Sequence, residues 1–116
     1  RPAVFCGVPS LYNALLNHKR VQAGKVDFRS MKACVSGAAP MMLETMKRFQ
    51  DVTGARILEG YAMTESALAA TVSPLKGPQK PGSVGTPLPD VVMMIVDADD
   101  PTKVMPTKEV GEILIK

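Results

Sequence analysis

Apolar residues recur at helical spacing behind Pro9. Val8, Leu11, Tyr12, Leu15 and Leu16 form one stripe, which predicts a helix over residues 9–18. Pro9 suits its first turn, where the missing N–H leaves no hydrogen bond unmade. Residues 19–31 are polar and mixed, and read as a loop. An apolar run of strand length follows at 32–36, then a turn of small residues, Ser36-Gly37-Ala38-Ala39. Pro40 is expected to open a second helix. Its stripe is Met42/Leu43, Met46, Phe49 and Val52, with Glu44, Lys47, Arg48 and Asp51 outward. Gly54 is placed to stop it in the left-handed conformation. Residues 55–59 read as the next strand, so 32–59 predicts a βαβ unit with parallel strands.

Further on the periodicity weakens. Residues 67–73 fit a strand or a short helix. Residues 74–89 hold five Pro and three Gly, the composition of a loop or linker. Residues 90–97 are β-rich, 97–107 are turn-rich, and 110–116 pair with 91–96 as an antiparallel hairpin. The expected fold is α/β: a βαβ unit of a parallel sheet with flanking helices, followed by a small β-ribbon. The expected boundaries are an α/β part over 1–75, a linker over 76–89 and a β part over 90–116. Both ends read as cut: Ala3-Val4-Phe5 is apolar at once, and Gly111 to Lys116 stops inside a strand. The chain is therefore expected to be a piece of a longer one. Unpaired edges of such a piece would invite pairing with a second copy.

Composition narrows the function classes. Hydrophobic residues make up 46% but aromatics only 4%, with no Trp, so the core is aliphatic with eight Met as adaptable filler. The net charge of +3 comes without a block of Lys/Arg, which excludes a basic stripe for nucleic acid. The excess could mildly attract anionic nucleotides or a membrane surface, but a plain solvated surface accounts for it. Cys6 and Cys34 form no CxxC pair, and Cys34 lies in an apolar run. Two such thiols fit a reducing, cytoplasmic location. No stretch reaches the roughly 20 apolar residues of a membrane span.

The two special turns carry the chemistry. Ser36-Gly37-Ala38-Ala39 and Gly60-Tyr61-Ala62-Met63-Thr64-Glu65 each follow a strand of one βαβ unit. Ligands of open parallel sheets bind outside the carboxyl ends of the strands. Small residues in the first turn let a flat ligand approach the backbone. Tyr61 offers a stacking ring, Thr64 a hydroxyl for a phosphate oxygen, and Glu65 a hard carboxylate for Mg²⁺. The set fits a nucleotide–metal site. It equally fits a packed strand-to-helix turn followed by an N-capping Thr-Glu pair.

The chain resembles the adenylate-forming (AMP-binding) superfamily of acyl-CoA synthetases, luciferases and peptide-synthetase adenylation domains. Five motifs carry the resemblance, in order along nearly the whole length. Val8-Pro9-Ser10-Leu11-Tyr12 is similar to "VPTLY", Ser36-Gly37-Ala38-Ala39-Pro40 to "SGGAP", and Gly60 to Glu65 to "GYGMTE". Pro81 to Pro89 is similar to "PGSVGxPxP", and Gly111-Glu112-Ile113 begins "GEIxxxGP". The resemblance implies that Gly37, Ala38 and Ala39 flank the adenine of ATP or AMP on one face and Tyr61 on the other. By the same resemblance Gly60 belongs to the nucleotide site and, with Ala62, to the acyl channel. Thr64 would contact the α-phosphate and Glu65 would hold Mg²⁺. The implied reaction joins a carboxylic acid to ATP, giving acyl-AMP and pyrophosphate, and coenzyme A then displaces AMP. The β-ribbon would begin a β-barrel subdomain.

Two departures stand out. Ala62 replaces a Gly, which would narrow the acyl channel, and Asp90 replaces a Gly but tolerates a left-handed turn. The phosphate-gripping loop, the ribose-binding Asp, the hinge and the C-terminal lysine implied by the resemblance are not in this stretch, so it is expected to be inactive alone. Gly60-Tyr61 with Met63 resembles the acyl-CoA ligase form, and a medium- or long-chain fatty acid is favoured by general resemblance. Peripheral membrane contact of the whole protein would suit such an acid. The alternatives are a luciferase or adenylation domain of the same superfamily, and a non-catalytic nucleotide- or acyl-binding module. His18 has no nucleophile nearby in sequence and is read as a partner for the end of the first helix. Asp97, Asp99 and Asp100 lack the Gly and distal Glu of a calcium loop and read as a solvated turn.

Overall fold

Pro9 starts the first helix where the stripe predicts it. In the computed structural model, which describes residues 1–66 and 69–116, helix α1 spans Pro9–Asn17 and buries Tyr12 and Leu16. The region expected as a loop begins instead with a one-turn helix, α2, at Lys19–Gln22. His18 separates the two helices in an extended conformation. Its Nδ1 accepts a hydrogen bond from the Arg20 N–H at 3.3 Å. The imidazole thus caps the start of α2 rather than serving the end of α1, and takes up one of the unpaired donors of a helix start.

The parallel sheet has three strands: β1 (Val4–Gly7), β2 (Ala33–Ser36) and β3 (Arg56–Tyr61). Both β1–β2 and β2–β3 pair in parallel. Helix α3, Leu43–Thr53, crosses from β2 to β3 as a βαβ unit requires. Two short strands extend the sheet antiparallel, β4 (Thr71–Val72) and β5 (Thr86–Pro87), in the order β1-β2-β3-β4-β5. Of the segment expected at 67–73, Thr71–Val72 is strand, and residues 67 and 68 lie outside the described residues. Residues 76–89 were expected as linker, yet Thr86–Pro87 within them closes the sheet. Pro87 is tolerated there because β5 is an edge strand.

The core lies between one sheet face and helices α1 and α3. Tyr12, Leu16, Cys34, Met41, Met46, Phe49, Ala55 and Ile57 are all buried. Tyr12 sits edge-on to Phe5 and Phe49, with centroids 5.4 and 5.0 Å apart. Its hydroxyl donates to the Val35 carbonyl at 2.8 Å, which satisfies the polar tip inside the core. Burial pushes this phenol well above its usual range and pushes the Cys34 thiol up.

Helix α3 differs from expectation at its start. Met42 is its N-cap and Leu43 its first residue, so Pro40 does not open it. The Met41 amide is instead drawn to Glu59, donating to Oε1 at 3.1 Å. With that tie in place Met41 is buried, whereas Met42, in an extended conformation, is 69% exposed. Leu43 and Val52 are also exposed, so the buried face is Thr45, Met46 and Phe49. Gly54 ends the helix at φ 71°, in the left-handed region as anticipated.

The Pro/Gly-rich stretch is fastened to β3 by side chains. The Arg56 guanidinium donates to the carbonyls of Leu75 and Gly77 at 3.0 and 2.8 Å. The Gln79 amide donates to the Ile57 carbonyl at 2.8 Å. Beyond it, β6 (Met93–Val96) and β7 (Glu112–Ile115) form the expected antiparallel hairpin as a separate two-stranded sheet. Asp90 enters it at φ 66°, the left-handed turn anticipated for an Asp replacing Gly.

Candidate functional site

A cleft of about 330 Å³ opens at the carboxyl ends of β2 and β3. Ser36, Ala38, Ala39, Pro40 and Met41 line one side, and Glu59, Gly60, Tyr61 and Ala62 the other. Gly82 and Val84 close it from the proline-rich stretch. The two special turns of the sequence therefore face one cavity. The cause is topological, because parallel strands of one βαβ unit end on the same edge.

Local chemistry shapes each wall. Ala38 holds φ 67°, a left-handed conformation that a side chain makes costly by roughly 1–2 kcal/mol. This explains why the motif it resembles carries Gly there. A methyl group on Gly37 would meet the Gly60 carbonyl at 3.5 Å, so the two turns touch through backbone. Gly60 is tighter still: a methyl there would lie 3.2 Å from the Thr71 carbonyl of β4. The antiparallel strand thus stands directly against the end of β3, and the Tyr61 carbonyl accepts from the Ala70 N–H at 2.9 Å.

The floor of the cleft is polar. Cys34 and Ile57 are buried in the core; Ser36 and Glu59, two residues further along each strand, stand on the same sheet face. Ser36 is 1% exposed and Glu59 8%. Glu59 is partnered by the Met41 amide. The Ser36 hydroxyl has no hydrogen-bond partner, the only such buried side-chain oxygen or nitrogen among the described residues. Leaving a buried hydroxyl unpaired costs about 1–3 kcal/mol, so an orphan that lines a cleft offers a hydrogen bond to the water or ligand atom that fills it. In the sequence Ser36 stands at the start of the first special turn without a role of its own, and Glu59 reads only as the end of a strand. The available signal was a polar residue closing each strand immediately before the glycine of the turn.

Of the residues proposed from sequence, Ala38, Ala39, Gly60, Tyr61 and Ala62 come together around the cleft. Gly37 stands just outside the lining. Thr64 and Glu65 lie on a 3₁₀ turn, Thr64–Ser66, that does not line the cleft, and both are exposed. No cluster of three or more His, Cys, Asp or Glu side chains capable of holding a metal occurs among the described residues. Glu65 is therefore in no such cluster. The acidic run is a turn, as expected. Asp97 accepts from the Lys103 ammonium at 2.8 Å, and Asp100 accepts from the Thr102 hydroxyl. These partners hold both carboxyls below their usual range. Among the described residues no helix is long and apolar enough to cross a membrane.

Known proteins share this arrangement. A family model described as AMP-binding enzyme matches residues 1–116. A long-chain-fatty-acid–CoA ligase of Bacillus subtilis is 34% identical over 116 residues, all of this chain and 20% of the relative. One from Salmonella typhimurium is 38% identical over 110 residues, 95% of this chain and 19% of the relative. Among solved structures, ATP-bound MatB from Rhodopseudomonas palustris superposes with a TM-score of 0.84 at 33% identity, over 100% of this chain and 22% of that one. The anthranilate CoA ligase AuaEII, in complex with anthranoyl-AMP, gives 0.86 at 27% identity, over 99% and 21%. The chain spans about a fifth of the length of the curated relatives it matches. With one family model matched along its whole length, the chain belongs to the AMP-binding enzyme family.

Proposed function

We propose that this chain is the cleft-bearing segment of an ATP-dependent acid–thiol ligase that makes acyl-CoA by way of acyl-AMP. The observation that carries the reading is the single cleft lined by both turns at the carboxyl ends of β2 and β3. In this reading the small wall, Ala38 and Ala39 with Gly37 behind, flanks the adenine, and the Tyr61 ring stacks on its other face. Gly60 and Ala62 border the path of the acyl group. The Ser36 hydroxyl meets its missing partner in a polar atom of the bound substrates.

The chemistry is a two-step displacement. A carboxylate oxygen of the acid attacks the α-phosphorus of ATP, and the α–β phosphoanhydride bond breaks. Pyrophosphate leaves with the bonding electrons. The sulfur of coenzyme A then attacks the acyl carbon and releases AMP, which keeps the acid's oxygen. Thr64 would donate its hydroxyl to an α-phosphate oxygen, and Glu65 would hold Mg²⁺, which would supply positive charge to the phosphates. Both residues follow the cleft-lining Tyr61 and Ala62 closely in the chain, which supports a phosphate role for them once the base is seated. The fatty-acid ligases among the relatives favour a medium- or long-chain fatty acid. The free thiols Cys6 and Cys34 fit a cytoplasmic location.

Pyrophosphate release tests the reading. The full-length protein carrying this segment is incubated with ATP, Mg²⁺ and a panel of fatty, aromatic and amino acids. Release dependent on one acid class supports the proposal and names the substrate. No release with any acid from folded protein contradicts it and favours a binding module.

A further inference from the structure

The geometry points to Glu59 as a positioning residue that sets the distance between the two walls of the cleft. Among the described residues it is the only side chain that bonds one wall to the other: its Oε1 accepts from the Met41 amide, 18 residues earlier in the chain. Otherwise the walls meet only through backbone, at the Ser36–Glu59 end of the β2–β3 ladder and where Gly37 faces the Gly60 carbonyl. One contains Ala38 at φ 67°, a conformation that a non-glycine residue keeps only when its surroundings hold it there. The loop ends at Met41, whose side chain is buried and whose amide is fixed by Glu59. The other wall begins at Gly60, next to Glu59 itself.

The tie has a further structural mark. Glu59 is buried where the sheet meets the cleft, and its carbonyl accepts from the Ser73 N–H at 2.7 Å. Its backbone is therefore held on one side by β2, at the Ser36 register, and on the other by Ser73. A carboxylate mounted on so fixed a backbone determines where the Met41 amide stands. That in turn sets where Ala38 and Ala39 face Tyr61. Displacements of about 1 Å in such a site cost up to about a hundredfold in rate.

The inference rests on the proposed ATP site for its kinetic arm and on hydrogen exchange for a separate arm. Glu59→Asp keeps the charge but shortens the reach, whereas Glu59→Gln keeps the reach and an oxygen acceptor. Both are made in the full-length protein. Deuterium uptake by residues 37–42 is expected to rise on the order of tenfold in rate in Glu59→Asp and to return towards wild type in Glu59→Gln. The KM for ATP in acid-dependent pyrophosphate release is expected to rise roughly tenfold in Glu59→Asp, with a smaller change in kcat, and Gln again to rescue. Equal uptake in Asp and wild type overturns the tie. Raised uptake with an unmoved KM overturns its bearing on the cleft. Failure of Gln to rescue the KM while uptake stays low means that the carboxylate acts on the ligand directly, which also overturns it. If the wild type does not use ATP, the proposed function falls, and the uptake comparison still decides whether Glu59 holds the loop.

Discussion

Ser36 and Glu59 are register partners across the β2–β3 ladder, and both are buried where the sheet gives way to the cleft. One is bonded to the facing wall, and the other has no partner. Apolar residues on the preceding rung, Cys34 and Ile57, complete the core. The change from apolar to polar within two residues is where the packed core ends and the cleft begins.

Ser36→Ala is expected to move stability and binding in opposite directions. Removing an orphaned buried hydroxyl should leave the ligand-free protein as stable or more stable by up to about 1 kcal/mol. Affinity for the ligand that pairs with it should fall about fivefold or more. Thermal melts with and without ATP and acid measure both. A loss of stability without ligand, with affinity intact, would count against a ligand-facing hydroxyl.

Tyr12→Phe removes only the hydroxyl, which donates to the Val35 carbonyl at 2.8 Å with the Phe5 carbonyl at 3.3 Å. The ring contacts with Phe5 and Phe49 remain, so the cost is about 1 kcal/mol. Tyr12→Ala should cost about 3–5 kcal/mol by removing the ring as well. Denaturant unfolding of both variants checks the ratio.

Ala62→Gly removes a methyl group from the cleft lining. If Ala62 borders the acyl path, the variant accepts bulkier acids, with discrimination changed roughly tenfold, the usual worth of one methyl group. Relative kcat/KM over a series of acids measures it. An unchanged series places the acyl path elsewhere.

Glu65→Gln tests the metal role. The side chain is exposed on its 3₁₀ turn, so stability should be unaffected. Acid-dependent pyrophosphate release should drop by roughly a hundredfold or more. Normal release would remove Glu65 from the site.

Asp27 gives the chain a defined acid response. Hydrogen bonds from the Arg29 side chain and N–H lower its carboxyl from the ordinary 3.8 to about 2. A lowered carboxyl stabilises the fold above its unfolded value, so the contribution is complete above about pH 4 and lost as pH falls through about 2. The pair is exposed, so the effect is small. The melting-temperature gap between wild type and Asp27→Asn should be constant from pH 5 to 6 and close below pH 2.

Elements defined by local rules were legible in the sequence. Pro9 and the following stripe gave α1, Gly54 gave the end of α3, and alternating apolar runs around a turn-rich connection gave the β6–β7 hairpin. What was not legible depends on distant partners. Met41 rather than Met42 enters the core because Glu59 holds its amide from 18 residues away. The strands β4 and β5, two residues each, are too short to carry a period and exist because β3 offers an edge. For the site, the turns were readable because glycine, small residues and an aromatic stand together. The polar floor was not, since a single Ser or Glu at the end of an apolar run has no distinguishing pattern.

If a carboxylic acid is activated at the α-phosphorus of ATP, one of its oxygens must pass to AMP. Oxygen tracing tests it most directly. The full-length protein is supplied with ATP, coenzyme A and an acid labelled with ¹⁸O in its carboxylate, and the nucleotide product is analysed by mass. The account predicts AMP carrying one ¹⁸O from the acid. Unlabelled AMP, or label appearing in inorganic phosphate beside ADP, would contradict it.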